Sequence, residues 1–271
     1  MSALRLTLTS RPPARVDLSP LTAQPLAGRS AAEIAAIPLV LGNRRVRLDE
    51  LFRITGTPGE VLEVAGGDDR LDRIGAGLAG GHIVVEGDAG AYLGQRMTGG
   101  SITVSGHAGA FAATGMKGGE IRVAGNAGDF LAAAIPGDHQ GMQGGLVLVG
   151  GNAGDRAGDR MRRGAVLVSG TAGDYCASRM VAGTIAVGGR VGRSTGMAMR
   201  RGTVLLLAPH GGLPPTFNDC GRFPLTMLAL LARAWRGLPG PFGALPAAGL
   251  TVRRFMGDLA NDGKGEVLVR D

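Results

Sequence analysis

Seven arginines in the middle of this 271-residue chain recur at matched places in a repeating pattern. Arg96, Arg160 and Arg179 each stand immediately before a methionine, and Arg162 and Arg200 immediately after one. Arg163 and Arg201 come one place further on, where sibling stretches carry glycine. A guanidinium grips carboxylate or phosphate oxygens through two parallel hydrogen bonds, so a stripe of them suits a flexible polycarboxylate or a phosphate. A solvated face or a contact between subunits would use the same residues, and composition does not choose among them.

Other candidate chemistry is thinner. Asp129, Asp155 and Asp174 each follow Ala-Gly at one repeat position. Stacked carboxylates suggest acid–base work or a metal, but bare charges a few ångströms apart repel, and aspartate after glycine is an ordinary turn former. His82, His107, His139 and His210 show no ligand spacing, and Cys176 and Cys220 are too few for a disulfide framework, a zinc site or an iron–sulfur cluster. Gly75-Ala-Gly77-Leu-Ala-Gly80 spells a dinucleotide fingerprint, yet a strand pattern follows where a helix is required. No nucleophile sits beside a base. The expectation is a chain with no catalytic residues and no metal site of its own.

What must position these side chains is a glycine-marked unit. GGHIVVEGDAG (Gly80 to Gly90), GGSITVSGHAG (Gly99 to Gly109) and GGEIRVAGNAG (Gly118 to Gly128) are successive copies. Their first residues after Gly-Gly, His82, Ser101 and Glu120, fall nineteen apart, and the series resumes at Leu146, Ala165, Thr184 and Thr203. A fixed period of this size is the mark of a solenoid. Each copy opens with alternating β-branched residues, as at Ile83 and Val85, which predicts a short strand with one buried face. Met97, Met116, Met161, Met180 and Met199 recur at one later position, with Met142 displaced, and read as flexible filler of a narrow core rather than as thioether metal ligands. Stacking the copies places like residues in columns, one rung above another. Val84, Leu148, Leu167 and Leu205 are apolar at outward positions, so something must cover that face.

The flanks differ. Leu4, Leu6 and Leu8 alternate as a strand, and Ser30-Ala-Ala-Glu33 is a capping box before a short helix. Leu62 and Val64 look like a first, degenerate copy, with Gly66 matching Gly87. Seven extra residues between Glu120 and Leu146, around Ile135-Pro-Gly-Asp-His-Gln140, predict a protruding contact loop carrying Asp138 and His139. Leu225, Leu228, Leu231 and Trp235 then recur at helical spacing, with Gly237 as stop, and predict a helix lidding the stack or lying along it. Val267 to Val269 is the last strand candidate. Hydrophobic content of 44% argues against disorder. The longest apolar run, near Met227–Leu231, is too short to span a bilayer, and the start lacks a signal peptide's apolar core, so a cytoplasmic location is expected.

Gly94-Gln-Arg-Met97-Thr-Gly99-Gly100, Gly141-Met142-Gln-Gly144-Gly145, Pro215-Thr-Phe-Asn-Asp-Cys220, Arg254-Phe255-Met-Gly257-Asp258-Leu259 and Gly263-Lys-Gly-Glu266 together resemble the C subunit of formylmethanofuran dehydrogenases over nearly the whole chain. The glycine repeat alone also resembles the C-terminal domain of the glutamate synthase large subunit. The resemblance implies a right-handed β-helix that scaffolds a larger complex. The arginine-over-lysine bias points to the related formyltransferase/hydrolase complex of methylotrophic bacteria. There, the resemblance implies hydrolase-like, formyltransferase and B-type partner subunits, a binuclear metal site in a partner, tetrahydromethanopterin as formyl donor, and a methanofuran-type carrier with a polyglutamate tail.

The sequence thus predicts an all-β fold: a single-stranded right-handed parallel β-helix of 19-residue coils, with an N-terminal α/β cap and a C-terminal helix. Its expected divisions are a cap over residues 1–60, repeats over 61–208 and an extension over 209–271. The expected function is a non-catalytic scaffold of that one-carbon complex, with Arg96, Arg160, Arg162, Arg163, Arg179, Arg200 and Arg201 as candidate binders of the carrier's tail. No nucleic acid and no membrane are expected as partners, since Trp235, Tyr92 and Tyr175 look scattered. A glutamate synthase-like structural domain, or a stand-alone β-helix enzyme acting on a polyanion, are the alternatives. The enzyme would want sugar-stacking aromatics, and aromatics are only 4%.

Overall fold

The computed structural model describes residues 3–22, 26, 28–246 and 249–270. Met1 and Ser2 of the predicted cap and Asp271 of the predicted extension lie outside them. The protein is mostly β. In chain order the strands are β1 (Ala3–Leu8), β2 (Val16–Asp17), β3 (Pro38–Leu41), β4 (Arg44–Arg47), β5 (Phe52–Gly56), β6 (Val61–Gly67), β7 (Leu71–Asp72) and β8 (His82–Gly87). There follow β9 (Ser101–Val104), β10 (Glu120–Val123), β11 (Gln143–Val149), β12 (Arg163–Val168), β13 (Thr184–Val187) and β14 (Arg201–Leu206). The last are β15 (Asn218–Pro224), β16 (Thr251–Gly257) and β17 (Lys264–Arg270).

Thirteen of these form one sheet, ordered β15-β16-β17-β14-β13-β12-β11-β10-β9-β8-β6-β1-β5. From β1 to β17 the neighbours are parallel and in register. Leu4, Leu62, Ile83, Ile102, Ile121, Val147, Val166, Ile185, Val204 and Val267 consequently stand in one column. All ten are buried. Alternation makes this obligatory, because a slip of one residue would turn every β-branched side chain outward. A second column is linked by single parallel bridges from Ala89 through Ala108, Ala127, Ala153 and Ala172 to Val191. The six methionines, Met142 included, fill a third column with no exposure.

Two of the Gly-Gly pairs follow from that third column. Their second glycine passes the methionine of the preceding unit: a Cβ on Gly119 would lie 2.5 Å from Met97 Cε, and one on Gly145 2.6 Å from Met116 Cε. At both positions φ is strongly positive, so glycine answers sterics and backbone together. The predicted match of Gly66 to Gly87 is corrected by one place. Gly67 pairs with Gly87, because the register shifts between Ala65 and Gly67.

At the N-terminal end, β4-β3-β2-β7 form a small second sheet. Ser30 caps the helix Ala31–Ala35, with Glu33 closing the predicted box. At the other end the chain leaves the stack after β14, runs through β15, the helix Thr226–Ala234 and β16, and returns as β17 beside β14. That excursion covers the apolar outer face from Leu148 to Leu268, and Val84, further along the sheet, stays outside it and half-buried. Leu148, Leu167, Ala186, Leu205 and Leu268 pack against Leu228, Trp235, Phe242 and Val252 in a second core. The helix therefore lies along the sheet. Each leucine so buried contributes about 1.5–3 kcal/mol relative to exposure. No helix among the described residues is long and apolar enough to cross a membrane.

Candidate functional site: an arginine groove beside an inserted loop

Between its strand and its methionine each unit makes a tight turn that uses left-handed backbone at alternate residues. Arg96, Arg160 and Arg179 occupy the last such place, with φ of 54°, 58° and 53°. This conformation directs their side chains to one side of the stack, Arg160 and Arg179 in successive units and Arg96 three units earlier. The loop formed by Ile135–Gln140 folds over the same side.

The loop and the arginines hold each other. Arg96 pairs with the Asp138 carboxylate at 3.4 Å. Arg160 donates to His139 Nδ1 at 3.0 Å and approaches the Asp138 carbonyl at 3.4 Å. Arg179 makes a two-pronged pair with Asp159, through Nε at 2.8 Å and a second short contact. Asp159 is buried and also accepts from Ser178 Oγ at 2.8 Å. The carboxylate's hydrogen bonds hold the Arg179 guanidinium above its already high ordinary range. Sequence reasoning did not find Asp159, and carboxylates of the chain itself already engage two of the candidate arginines, Arg179 and Arg96.

Arg162 and Arg200 differ. Both are exposed, two units apart in one column with Val181 between them, and among the described residues no carboxylate lies within ion-pair distance of either. Arg160, Arg162, Arg179 and Arg200, with His139 and Asn261, surround a groove of about 370 Å³. Arg96 faces a different hollow of about 410 Å³ with Lys117 and Gln143. Asp138 and His139 stand in the wall, His139 bordering both. Arg163 and Arg201 open β12 and β14, are exposed, and line neither.

The other candidates serve the backbone. Asp129 Oδ1 accepts the Asp155 amide, Asp155 Oδ1 the Asp174 amide, and Asp174 Oδ1 the Arg193 amide, each at 2.8 Å. This is the structural role expected of them. One column over, Asp88, His107, Asn126 and Asn152 do the same for the unit above. Burial pushes the Cys176 thiol up to about 12, which leaves it inert as a nucleophile. Among the described residues no three His, Cys, Asp or Glu side chains are grouped to hold a metal ion.

Tyr92 and Tyr175 require a correction. They are not scattered: with Phe111 and Phe130 they occupy one column, in which the residue type changes from unit to unit.

This geometry has a full-length counterpart. The C subunit of the formyltransferase/hydrolase complex Fhc of Methylorubrum extorquens is 53% identical over 269 residues, covering 99% of each chain. The chain belongs to the family of Fhc C subunits. A solved structure described as the formyltransferase/hydrolase complex FhcABCD from Methylorubrum extorquens, in complex with methylofuran, contains a chain superposing with a TM-score of 0.93. It shares 42% identity there, covering 98% of this chain and 99% of that one. Other relatives are similar over part of the chain. The C subunit of the tungsten-containing formylmethanofuran dehydrogenase 2 of Methanothermobacter wolfeii is 33% identical over 99 residues, 35% of this chain and 37% of its own. The C subunit of the molybdenum-containing formylmethanofuran dehydrogenase 1 of Methanosarcina barkeri is 34% identical over 84 residues, 29% of this chain and 28% of its own. No family model matches.

Proposed function

We propose that this protein is the scaffold subunit of a formyltransferase/hydrolase complex of one-carbon metabolism, and that its arginine groove holds the anionic tail of a methanofuran-type carrier. The observation that carries the assignment is the 53% identity extending over 99% of both chains. In this reading the units wind as a right-handed parallel β-helix of 19-residue coils. Three in-register columns support that winding. Residues 1–60 cap it, 61–208 are the repeats, and 209–271 form the extension that covers its outer face. The complex works in the cytoplasm. Formyl transfer from tetrahydromethanopterin and hydrolysis at a binuclear metal site fall to partner subunits, namely a formyltransferase, a hydrolase-like chain and a B-type chain.

The tail reading rests on Arg162 and Arg200, whose donors have no internal carboxylate partner among the described residues, and on Arg160, which meets the His139 ring and the Asp138 carbonyl. A chain of carboxylates laid along the stack meets a rung about every 4.8 Å. Arg179 contributes field rather than a free fork, because Asp159 occupies it. Arg96 extends the surface beyond the loop, and Arg163 and Arg201 add positive potential next to Arg162 and Arg200. The test is to replace Arg160, Arg162 and Arg200 with alanine in the assembled complex and to measure carrier content by mass spectrometry. A several-fold loss with all subunits present is expected; full carrier content in an intact complex overturns the tail reading.

A further inference from the structure

The column that holds Tyr92 runs along the stack as one pile of π-systems. Arg73 lies over the Tyr92 ring at 5.4 Å; Tyr92, Phe111 and Phe130 stack face to face with centroids 5.2 and 4.7 Å apart. The Arg156 guanidinium then lies between the rings of Phe130, at 6.0 Å, and Tyr175, at 4.6 Å. Six rungs make a ridge about 24 Å long. All six residues have φ near +60°, a region that costs a bulky side chain about 1–2 kcal/mol. Two residues further on, the same turn carries glycine or alanine in the same conformation, as at Gly94, Ala113 and Gly158. Glycine, which has no Cβ, would therefore serve the turn at lower cost. In a chain with two tyrosines and seven phenylalanines, both tyrosines and two phenylalanines are placed here, half-buried.

We infer that this arginine–aromatic ridge is the docking surface for another protein of the complex. The inference deepens the scaffold reading and rests on it. From Tyr92 to Phe130 the ring faces are covered by one another and by the flanking guanidiniums, and one face of Tyr175 by Arg156. That arrangement leaves little for nucleobases to stack upon, but it presents a rigid apolar strip to a protein surface, where Tyr and Arg supply much of the binding energy. Arg156 sets the partner's charge. Among the described residues no side-chain acceptor meets its guanidinium, so the planar fork, fixed between two rings, is set to take a carboxylate. The partner surface should be apolar with a carboxylate opposite Arg156.

The experiment uses the co-expressed complex with this chain tagged, read by native mass spectrometry over a dilution series. Two variants are compared with wild type: Phe111→Gly with Phe130→Gly, which removes two rings while suiting a left-handed backbone, and Arg156→Glu, which reverses the charge. Each is expected to weaken retention of one and the same partner at least tenfold, with the melting temperature of the tagged chain followed alongside. A full complement of partners with unchanged dissociation in Arg156→Glu overturns the ridge as a docking surface, and it does so even if the glycine variant fails to fold. Binding of oligo(dT) by wild type that the variants lose also overturns it, in favour of nucleic acid. If the wild-type chain itself retains no partner, the scaffold reading fails rather than the ridge.

Discussion

The methyl group of Met97 sits where a side chain on Gly119 would have to go: a Cβ there would be 2.5 Å from Met97 Cε and 2.6 Å from the Gly100 carbonyl oxygen. One of these neighbours can swing aside and the other cannot. Gly119→Ala adds a φ of +86° that L-residues avoid, costing about 1–3 kcal/mol before any clash. Thermal unfolding should shift down by several degrees, and an unchanged melting temperature would remove the explanation of the Gly-Gly pairs.

Leu167 tests the attachment of the C-terminal excursion. It is 1% exposed between the sheet and the Phe242 region. Leu167→Ala should destabilise by about 2–5 kcal/mol through lost burial and a residual cavity. Denaturant titration reads the loss, and limited proteolysis should cut first between β14 and β17. A loss below about 1 kcal/mol would mean the cover is loosely seated.

Asp159→Asn keeps the size of the side chain and removes the charge that Arg179 grips. The Arg179 side chain is 43% exposed, so water compensates part of the loss and the fold should suffer by only about 1 kcal/mol. The groove gains one unpaired positive charge. Its affinity for a synthetic oligoglutamate, measured by calorimetry at low salt, should rise severalfold. Unchanged affinity would place the anion elsewhere.

Acid should loosen the aspartate column. The Arg193 amide, and then its guanidinium, hold the Asp174 carboxyl below its ordinary 3.8. A depressed carboxylate contributes stability that is present above pH 3.8 and lost as pH falls through its lower folded value. Asp174→Asn supplies an uncharged acceptor, as Asn126 and Asn152 do one column away. At neutral pH it should fold, and as pH falls below 3.8 its stability should fall less steeply than that of wild type, by equilibrium unfolding. Parallel curves would show that the column does not sense acid.

What could be read from the sequence was whatever repeats. Ile83, Ile102 and Ile121 announce a column because like types return at one interval, and Leu148, Leu167 and Leu205 announce a cover because apolar residues stand where water was due. Single-copy features carry no such signal. β15 and β16 occur once, and their pairing depends on a return of the chain that no local pattern encodes. Asp159 escapes notice because its equivalents are Gln95, Thr114, Ala133, Ser178 and Met197, so no residue type returns at that position. The ring column escapes for the opposite reason: its position is regular, but its occupants change from Arg73 to Tyr92, Phe111 and Arg156. The arginines were legible as positions. Which of them Asp138 and Asp159 occupy was not.

The strand order at the two extremities of the large sheet carries a consequence for association. β5 at one extremity and β16 with β15 at the other depart from the uniform parallel run between them, each entering by an antiparallel pairing. A second molecule arriving end-on therefore meets an edge unlike the rungs inside, with Pro224 and the Asp219–Arg253 pair on the far one. The parallel run is thus bounded on both sides by antiparallel edges, neither of which repeats the rung that head-to-tail growth into fibres would copy.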